Sequence, residues 1–259
     1  MNKVKIGFFD SGIGGISVLA YARHCLPSVD YIYYADTDHV PYGAKTREEI
    51  IRYSDAAVEF LSVQGVSAVV VACNTATSMA IGYLREKYSI PIIGMEPAVK
   101  PAAKMHKGEK ILVCATPVTI AGEKLQNLIG HYYPTEDYPD LVGLPGLVAY
   151  AESGIFDRET VCRYLETVID RQKQYSAVVL GCTHFGYFRD SFRELLGDVD
   201  MIDGTEGTVK RLMAVLSESG IVIPEDTRGT TIFYQTGRRV SDAATLKYYE
   251  DLIRRSENF

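Results

Sequence analysis

Short runs of aliphatic and β-branched residues alternate with amphipathic segments along the chain. The runs are continuously hydrophobic, which is typical of strands that are buried on both faces of a sheet. The segments between them predict helices; one opens with a capping box formed by Thr46 and Glu49, and another begins at Asp157. This alternation predicts an α/β fold with parallel sheets. The predicted strands are residues 6–9, 31–34, 68–71, 90–93, 111–113, 177–180 and 201–202.

The second half of the chain repeats landmarks of the first half. Residues 5–11 match residues 110–116 at an offset of 105. Residues 69–75 match residues 178–183, and residues 92–96 match residues 201–206, both at an offset of 109. The repeat predicts two pseudo-symmetric, three-layer α/β domains with mainly parallel sheets and an active site in the cleft between them. We expect residues 98–207 to form the second domain, and residues 1–97 together with 208–259 to form the first.

In both copies of the repeat, a cysteine stands at the end of a buried strand. Cys73 is followed by Asn74 and Thr75, and Cys182 is followed by Thr183 and His184. Parallel α/β sheets present ligand-binding groups at this edge, and a helix that begins there favours a thiolate over a thiol. We therefore expect the two thiols to converge on one cleft. The remaining cysteines are interpreted as small buried hydrophobic residues; they are Cys25, Cys114 and Cys162.

Two cysteine bases facing each other are what a racemase without a cofactor requires, because one group must remove the Cα proton while the other delivers a proton to the opposite face. A Cys–His acyl-transfer hydrolase needs only one nucleophile and leaves the second cysteine unexplained. A metal site built from Cys73, Cys182 and His184 lacks an obvious fourth ligand. The pattern therefore favours acid/base chemistry without a metal.

The segment Asp10-Ser11-Gly12-Ile13-Gly14-Gly15 resembles a dinucleotide-binding loop only in part, because Ser17 occupies the position of the third glycine. The charge of Asp10 would also oppose a pyrophosphate. We interpret the segment as a turn that offers backbone N–H groups to a small carboxylate. The alternative is a tight turn that needs glycine for backbone reasons alone.

Composition narrows the possible partners and compartments. Hydrophobic residues make up 47% of the chain and charged residues 23%, as in ordinary globular proteins. The formal net charge is −6 with scattered basic residues, so nucleic acid and anionic membranes are poor candidate partners.

The 5 cysteines include no Cys-x-x-Cys motif, which argues against a disulfide framework or structural zinc. No run approaches the roughly 18 apolar residues of a membrane span, and no export signal is visible. We expect a cytoplasmic protein with reduced thiols.

Four segments resemble the glutamate racemases of the aspartate/glutamate racemase superfamily, and the resemblance extends from residue 6 to about residue 206. The segments are Asp10-Ser11-Gly-x-Gly-Gly, Asp36 with Val40-Pro41-Tyr42-Gly43, Ala72-Cys73-Asn74-Thr75-Ala76, and Gly181-Cys182-Thr183-His184. The resemblance implies a pyridoxal-independent enzyme that interconverts L- and D-glutamate and supplies D-glutamate for bacterial peptidoglycan. It further implies a homodimer that uses neither a cofactor nor a metal.

The resemblance also implies roles for individual residues. Cys73 and Cys182 would be the two acid/base catalysts, with Asp10 and His184 assisting the thiols. Two alternatives stay open: a sibling racemase that acts on aspartate or a hydantoin, and a two-lobed amino-acid-binding module without catalysis. The substrate-binding residues would be Asp10, Ser11, Tyr42, Gly43, Asn74, Thr75, Thr116, Thr119, Glu152, Thr183 and His184.

Overall fold

The structure is a computed structural model that describes residues 4–133, 138–223 and 228–256. The strands are β1 (Lys5–Asp10), β2 (Asp30–Ala35), β3 (Ala68–Val71), β4 (Ile92–Gly94), β5 (Ile111–Ala115), β6 (Asp140–Gly143), β7 (Ala177–Gly181), β8 (Asp200–Asp203), β9 (Thr231–Gln235) and β10 (Arg238–Arg239). The α-helices are α1 (Ile16–Cys25), α2 (Arg47–Val63), α3 (Asn74–Lys87), α4 (Val99–Met105), α5 (Pro117–Ala121), α6 (Glu123–Tyr132), α7 (Pro145–Glu152), α8 (Arg158–Val168), α9 (Arg189–Leu196), α10 (Thr205–Glu218) and α11 (Ala243–Ser256). Tyr42–Ala44 and Thr183–Phe188 are 3₁₀ helices.

The predicted α/β class is confirmed, and each of the seven predicted strands is present. The capping box is also present, because Thr46 Oγ1 accepts a hydrogen bond from the Glu49 N–H while a Glu49 carboxylate oxygen accepts one from the Thr46 N–H. Asp157 caps α8 through the N–H of Thr160. Within the described residues, no helix has both the length and the apolar character that a bilayer crossing requires.

The chain divides into two compact units, Met1–Met95 with Thr205–Phe259, and Glu96–Gly204. The sheet of the first unit has the order β10-β9-β2-β1-β3-β4, in which only β10 runs antiparallel to its neighbour. The sheet of the second unit has the order β6-β5-β7-β8 and is parallel throughout. The order β2-β1-β3-β4 in the first unit therefore has a direct counterpart in the second, as the internal repeat predicts.

Helices cover both faces of the first sheet. Alternate residues along each strand point to opposite faces, so each strand contacts helices on both sides. On one face the ring of Tyr34 packs against Phe60 of α2, with centroids 5.3 Å apart. On the other face the Tyr31 hydroxyl donates to the Ala22 carbonyl oxygen of α1, and Tyr33 packs against Tyr249 of α11. The first unit is therefore a three-layer arrangement.

The second unit has a continuous hydrophobic core on the face covered by α4 and α6. Ala102 of α4 and Leu125 and Ile129 of α6 pack against Val113 of β5 and Val179 of β7. Every residue of these two central strands is buried, so both faces of the second sheet are covered as well.

Candidate functional site

The sulfur of Cys73 lies at the N-terminus of a helix in the first unit. Cys73 is the residue before α3, and its sulfur accepts a hydrogen bond from the Ala76 N–H at 3.4 Å. The sulfur lies 3.6 Å from the Ser11 hydroxyl oxygen, and the residue is 5% exposed. Both the unpaired N–H groups of the first helical turn and the helix dipole favour negative charge here. The geometry therefore stabilises the thiolate form of Cys73.

The loop after β1 holds a fully buried carboxyl group beside this helix. Asp10 is 0% exposed, and its Oδ1 accepts a hydrogen bond from the Gly12 N–H at 2.9 Å. Gly15 has an ordinary helical φ of −66°, but a Cβ there would lie 2.7 Å from Cβ of Asp10 and 2.9 Å from Cβ of Ala72. Glycine at position 15 is thus required for close packing of the loop rather than for an unusual backbone angle. Binding of a carboxylate by this turn stays a prediction.

A second carboxyl group, that of Asp36, organises the loop that leads to Tyr42 and Gly43. Asp36 is 2% exposed, and its Oδ2 accepts a hydrogen bond from the Tyr42 hydroxyl at 2.7 Å. The same carboxylate lies 2.9 Å from Nδ1 of His39. Burial, together with the neighbouring Asp36 charge, raises the pKa of Tyr42 far above its ordinary value, so Tyr42 stays a hydrogen-bond donor. Sequence reasoning did not select Asp36 as a site residue, and only its place in the Asp36-to-Gly43 motif could have indicated it.

Asn74 presents a buried hydrogen-bond acceptor at the start of α3. Its side-chain NH₂ group donates to the Met95 carbonyl oxygen at 3.2 Å, which fixes the orientation of the amide. Its Oδ1 is buried without a hydrogen-bond partner among the described residues. Leaving a buried acceptor unpaired costs about 1–3 kcal/mol, so a ligand donor that reaches Oδ1 would recover that energy. The neighbouring Thr75 is 3% exposed.

In the second unit, Cys182 follows β7 in the position that Cys73 has after β3. The helix that begins at Thr183 is a 3₁₀ helix rather than an α-helix, and the Cys182 sulfur receives no capping hydrogen bond. Its partner is instead Nδ1 of His184 at 3.6 Å. On the opposite side of the ring, Nε2 of His184 lies 2.6 Å from Oε1 of Glu152 at the end of α7. The thiol, the imidazole and the carboxylate therefore form one connected row.

The hydrogen-bond partners of His184 control the pKa of its imidazole. Burial alone would lower the pKa of His184, since a buried cation loses its hydration. The hydrogen bonds and charges of Cys182 and Glu152 outweigh burial and hold the pKa of His184 well above its ordinary value. The charged form of His184 is therefore favoured, and it lies beside the sulfur of Cys182.

The two threonines after β5 form a capped turn on the strand next to β7. Thr116 is the residue before α5, and its Oγ1 accepts a hydrogen bond from the Thr119 N–H at 3.3 Å. Its hydroxyl also donates to that of Thr119 at 2.9 Å, and both residues are buried. Thr183 is 4% exposed beside Cys182. Each unit thus gathers polar groups at the carboxyl ends of adjacent parallel strands.

The structure brings the site residues together within each unit in the following way. Cys73 and Ser11 are in contact in the first unit, and Cys182, His184 and Glu152 are linked in the second. The contact between Glu152 and His184 joins residues 32 positions apart and has no local sequence signal. Within the described ranges, no cluster of His, Cys, Asp and Glu side chains has the makings of a metal site.

Comparison with known proteins gives the family. The model of the Asp/Glu/hydantoin racemase family matches residues 17–212. A glutamate racemase of Halothermothrix orenii is 49% identical over 254 residues, which are 97% of this chain and 99% of that protein. The structure of glutamate racemase from Campylobacter jejuni superposes with a TM-score of 0.80 at 28% identity and covers 97% of this chain and 98% of that one. A Francisella tularensis glutamate racemase, solved in complex with D-glutamate, gives 0.79 at 27% identity, with 98% and 95% covered. The chain therefore belongs to the Asp/Glu/hydantoin racemase family and, within it, to the glutamate racemases.

Proposed function

We propose that this protein interconverts L- and D-glutamate without a cofactor and so supplies D-glutamate for peptidoglycan synthesis. The observation that carries the proposal is the pair of buried cysteines at equivalent strand ends, each with a group that stabilises its thiolate. For Cys73 that group is the start of α3, and for Cys182 it is His184. Relatives over nearly the whole length of the chain are glutamate racemases.

The two thiols exchange roles in each turnover. The thiolate of one cysteine takes the Cα proton and becomes a thiol, while the thiol of the other gives a proton to the opposite face of the same carbon and becomes a thiolate. The reverse reaction starts from this second state, so no net proton is consumed. The helix terminus places partial positive charge beside the sulfur of Cys73, and the imidazolium of His184 places positive charge beside that of Cys182, as acid/base chemistry by a thiol requires.

The assisting groups differ between the two cysteines. Beside Cys73, the proposed assistant is Asp10, whose carboxyl group is buried in the neighbouring loop. Beside Cys182, His184 holds the thiolate as an ion pair and Glu152 holds the imidazole in its charged form. Glu152 therefore acts through His184, in addition to the substrate contact that the family resemblance implies.

The substrate is held by short polar side chains and backbone groups. Oδ1 of Asn74 is the proposed acceptor for the α-ammonium group, because it is buried and its amide is already fixed by Met95. The backbone of Tyr42 and Gly43 lines the substrate, and Tyr42 is kept in place by Asp36. The proposed donors to the two carboxylates are the hydroxyl groups of Ser11, Thr75, Thr116, Thr119 and Thr183.

A cytoplasmic location and a homodimer complete the proposal. A mechanism that uses two free thiols needs a reducing compartment, since oxidation of either sulfur would stop it. The homodimer rests on the family resemblance, and light scattering during size-exclusion chromatography measures it directly.

The function is tested with L-glutamate and the purified protein, followed by circular dichroism. The protein is first dialysed against a chelator in the presence of a thiol reductant, and neither pyridoxal phosphate nor a metal is added. We expect the signal to decay to zero as the racemate forms. A signal that does not decay, or that decays only after zinc or pyridoxal phosphate is restored, contradicts the proposal. Parallel reactions with aspartate and a hydantoin identify a sibling racemase.

A further inference from the structure

A strained residue connects the last two strands of the first unit. Thr236 and Gly237 join β9 to β10, and their φ angles are 43° and 79°. A two-residue hairpin with positive φ at both positions normally has Asn, Asp or Gly first, since a β-branched residue is rarely tolerated there. A strained residue of this kind persists only where its surroundings hold it. The partners of Thr236 show what those surroundings are.

The backbone N–H and the side-chain oxygen of Thr236 bind the end of β2 and the segment that follows it. Its N–H donates to the Ala35 carbonyl oxygen at 2.8 Å, and its Oγ1 accepts a hydrogen bond from the Asp38 N–H at 3.0 Å. Asn and Gly would relieve the strain, but Gly would offer no oxygen to Asp38. Threonine at this turn therefore supplies a side-chain oxygen that binds the 36–43 loop.

The side chain of Arg238, at the start of β10, also binds Asp38. Arg238 donates from Nη1 to Oδ2 of Asp38 at 2.7 Å and from Nη2 to Oδ1 at 2.6 Å. This two-pronged geometry fixes the orientation of the carboxylate as well as its distance. Asp38 is therefore held through its backbone by Thr236 and through its side chain by Arg238.

The loop from Asp36 to Gly43 consequently has two anchors. On the inside, the buried Asp36 carboxylate accepts hydrogen bonds from Tyr42 and His39. On the outside, Asp38 is fixed to the hairpin, and residues 37–41 form turns and irregular chain before the 3₁₀ helix that begins at Tyr42. The two side-chain anchors therefore help to set the conformation of this loop.

We propose that Thr236 and Arg238 are positioning residues for glutamate binding, and that they act through Asp38 on the backbone of Tyr42 and Gly43. The proposal rests on the function proposed above, in which this backbone lines the substrate. Loosening the outer anchor lets the loop adopt other conformations and lowers the fraction of protein whose loop can bind glutamate. The apparent affinity for glutamate then falls in proportion. Thr236 and Arg238 thus act on binding, so we expect KM to change more than kcat.

The test combines kinetics with backbone hydrogen exchange. Exposed ion pairs contribute little, so Arg238→Gln should raise the KM for glutamate about two- to fivefold and leave kcat within about twofold. Thr236→Gly should raise KM in the same way while the melting temperature stays unchanged or rises, because it removes the strained side chain. The exchanged pair Asp38→Arg with Arg238→Asp should recover most of the wild-type KM.

Arg254→Gln is the matched control, because it removes an equally exposed arginine from an ion pair on α11 and leaves the loop untouched. In ligand-free protein, amide exchange across residues 36–44 should be faster in Arg238→Gln and Thr236→Gly than in wild type and the control. Unchanged exchange in this segment overturns the positioning role whether or not the protein racemises glutamate. An unchanged KM, or a fall in kcat that matches a general loss of stability, overturns it too. Wild-type protein that does not racemise glutamate contradicts only the proposed function.

Discussion

Nε2 of His184 lies 2.6 Å from Oε1 of Glu152, and Nδ1 of the same ring lies 3.6 Å from the sulfur of Cys182. The imidazole is 2% exposed, so its two nitrogens are committed to these two partners. The carboxylate can therefore influence the thiol only through the ring, by fixing its orientation and by favouring its charged form. Replacing Glu152 therefore tests how His184 activates Cys182 without changing either of those two residues.

Replacement of Glu152 by Gln should weaken the activation of Cys182. The amide keeps the shape of the side chain but loses the negative charge that raises the pKa of His184, so the imidazolium will lose its proton at a lower pH. We expect kcat to fall about tenfold at neutral pH, less than the loss of a whole acid/base group. The alkaline decline of the kcat profile should also move to lower pH. The profile is measured from pH 6 to pH 10.

The matched control for this variant is Glu194→Gln, which removes an exposed carboxylate of α9 that pairs with Arg158. It should keep the wild-type profile. If Glu152→Gln lowers kcat without moving the alkaline limb, the carboxylate does not act through the charge of His184.

Much of the fold could be predicted because each central strand is a continuous hydrophobic run. Strand β6 was missed, since Asp-Leu-Val-Gly is short and only partly buried at the sheet edge. It occupies the place in the second sheet that β2 occupies in the first, and the repeat offset of 109 takes residues 31–34 to residues 140–143, which are β6. Strand β10 consists of two exposed arginines and carries no hydrophobic signal at all.

The sequence predicted the local part of the site better than its long-range part. The helix start at Cys73 follows from the strand before it and the polar residues after it, and the structure confirms it. The pairing of Glu152 with His184 and of Arg238 with Asp38 depends on tertiary structure, because the partners are 32 and 200 residues apart. The 3₁₀ helix after Cys182 was also not foreseen, since an apolar and aromatic run such as Phe185 to Phe188 does not distinguish it from an α-helix.

Asp140 should stabilise the second unit in a pH-dependent way. Partial burial raises the pKa of its carboxyl group, but hydrogen bonds from Lys110, Lys173 and Tyr175 outweigh that effect and lower it to about 2. A lowered pKa in the folded state gives stability that is present above the unfolded value of about 3.9 and is lost as the pH falls through the folded value.

We therefore expect Asp140→Asn to lower the free energy of unfolding by about 1 kcal/mol at pH 7, a figure reduced by solvent screening because both lysines are half exposed. The difference from wild type should shrink between pH 4 and about pH 2. Urea unfolding at several pH values measures it, with Asp190→Asn as a control at an exposed carboxylate of α9. A difference that is constant with pH would show that the charge of Asp140 is not the cause.

The polar groups around the cysteines predict strong discrimination among amino acids. A buried polar site rejects ligands that leave its donors unpaired, by factors of up to roughly 10⁴–10⁵. Aspartate is one methylene shorter than glutamate and glutamine lacks the second negative charge, so both should be very poor substrates. Comparing kcat/KM for the three amino acids checks this. Similar values for aspartate and glutamate would contradict the proposed specificity for glutamate.

The two-base mechanism predicts an asymmetric pattern of isotope labelling. When L-glutamate is racemised in deuterated water, the D product should carry deuterium at Cα, while L-glutamate recovered early should stay largely protiated. The reason is that the sulfur that removes the proton is not the sulfur that returns one. Proton NMR of each separated enantiomer measures the label, and equal labelling of both would indicate a single base.

Single replacement of either cysteine should stop racemisation and identify the face that each sulfur serves. Cys73→Ala and Cys182→Ala should each lose more than the roughly 10²–10⁴-fold that one general acid or base contributes, because neither direction can be completed with one partner missing. Serine variants should be nearly as inactive, since a hydroxyl group ionises far less readily than a thiol. Cys114→Ala is the matched control, because burial raises the pKa of that thiol and keeps it out of acid/base chemistry. Substantial turnover by Cys182→Ala would require a one-cysteine mechanism.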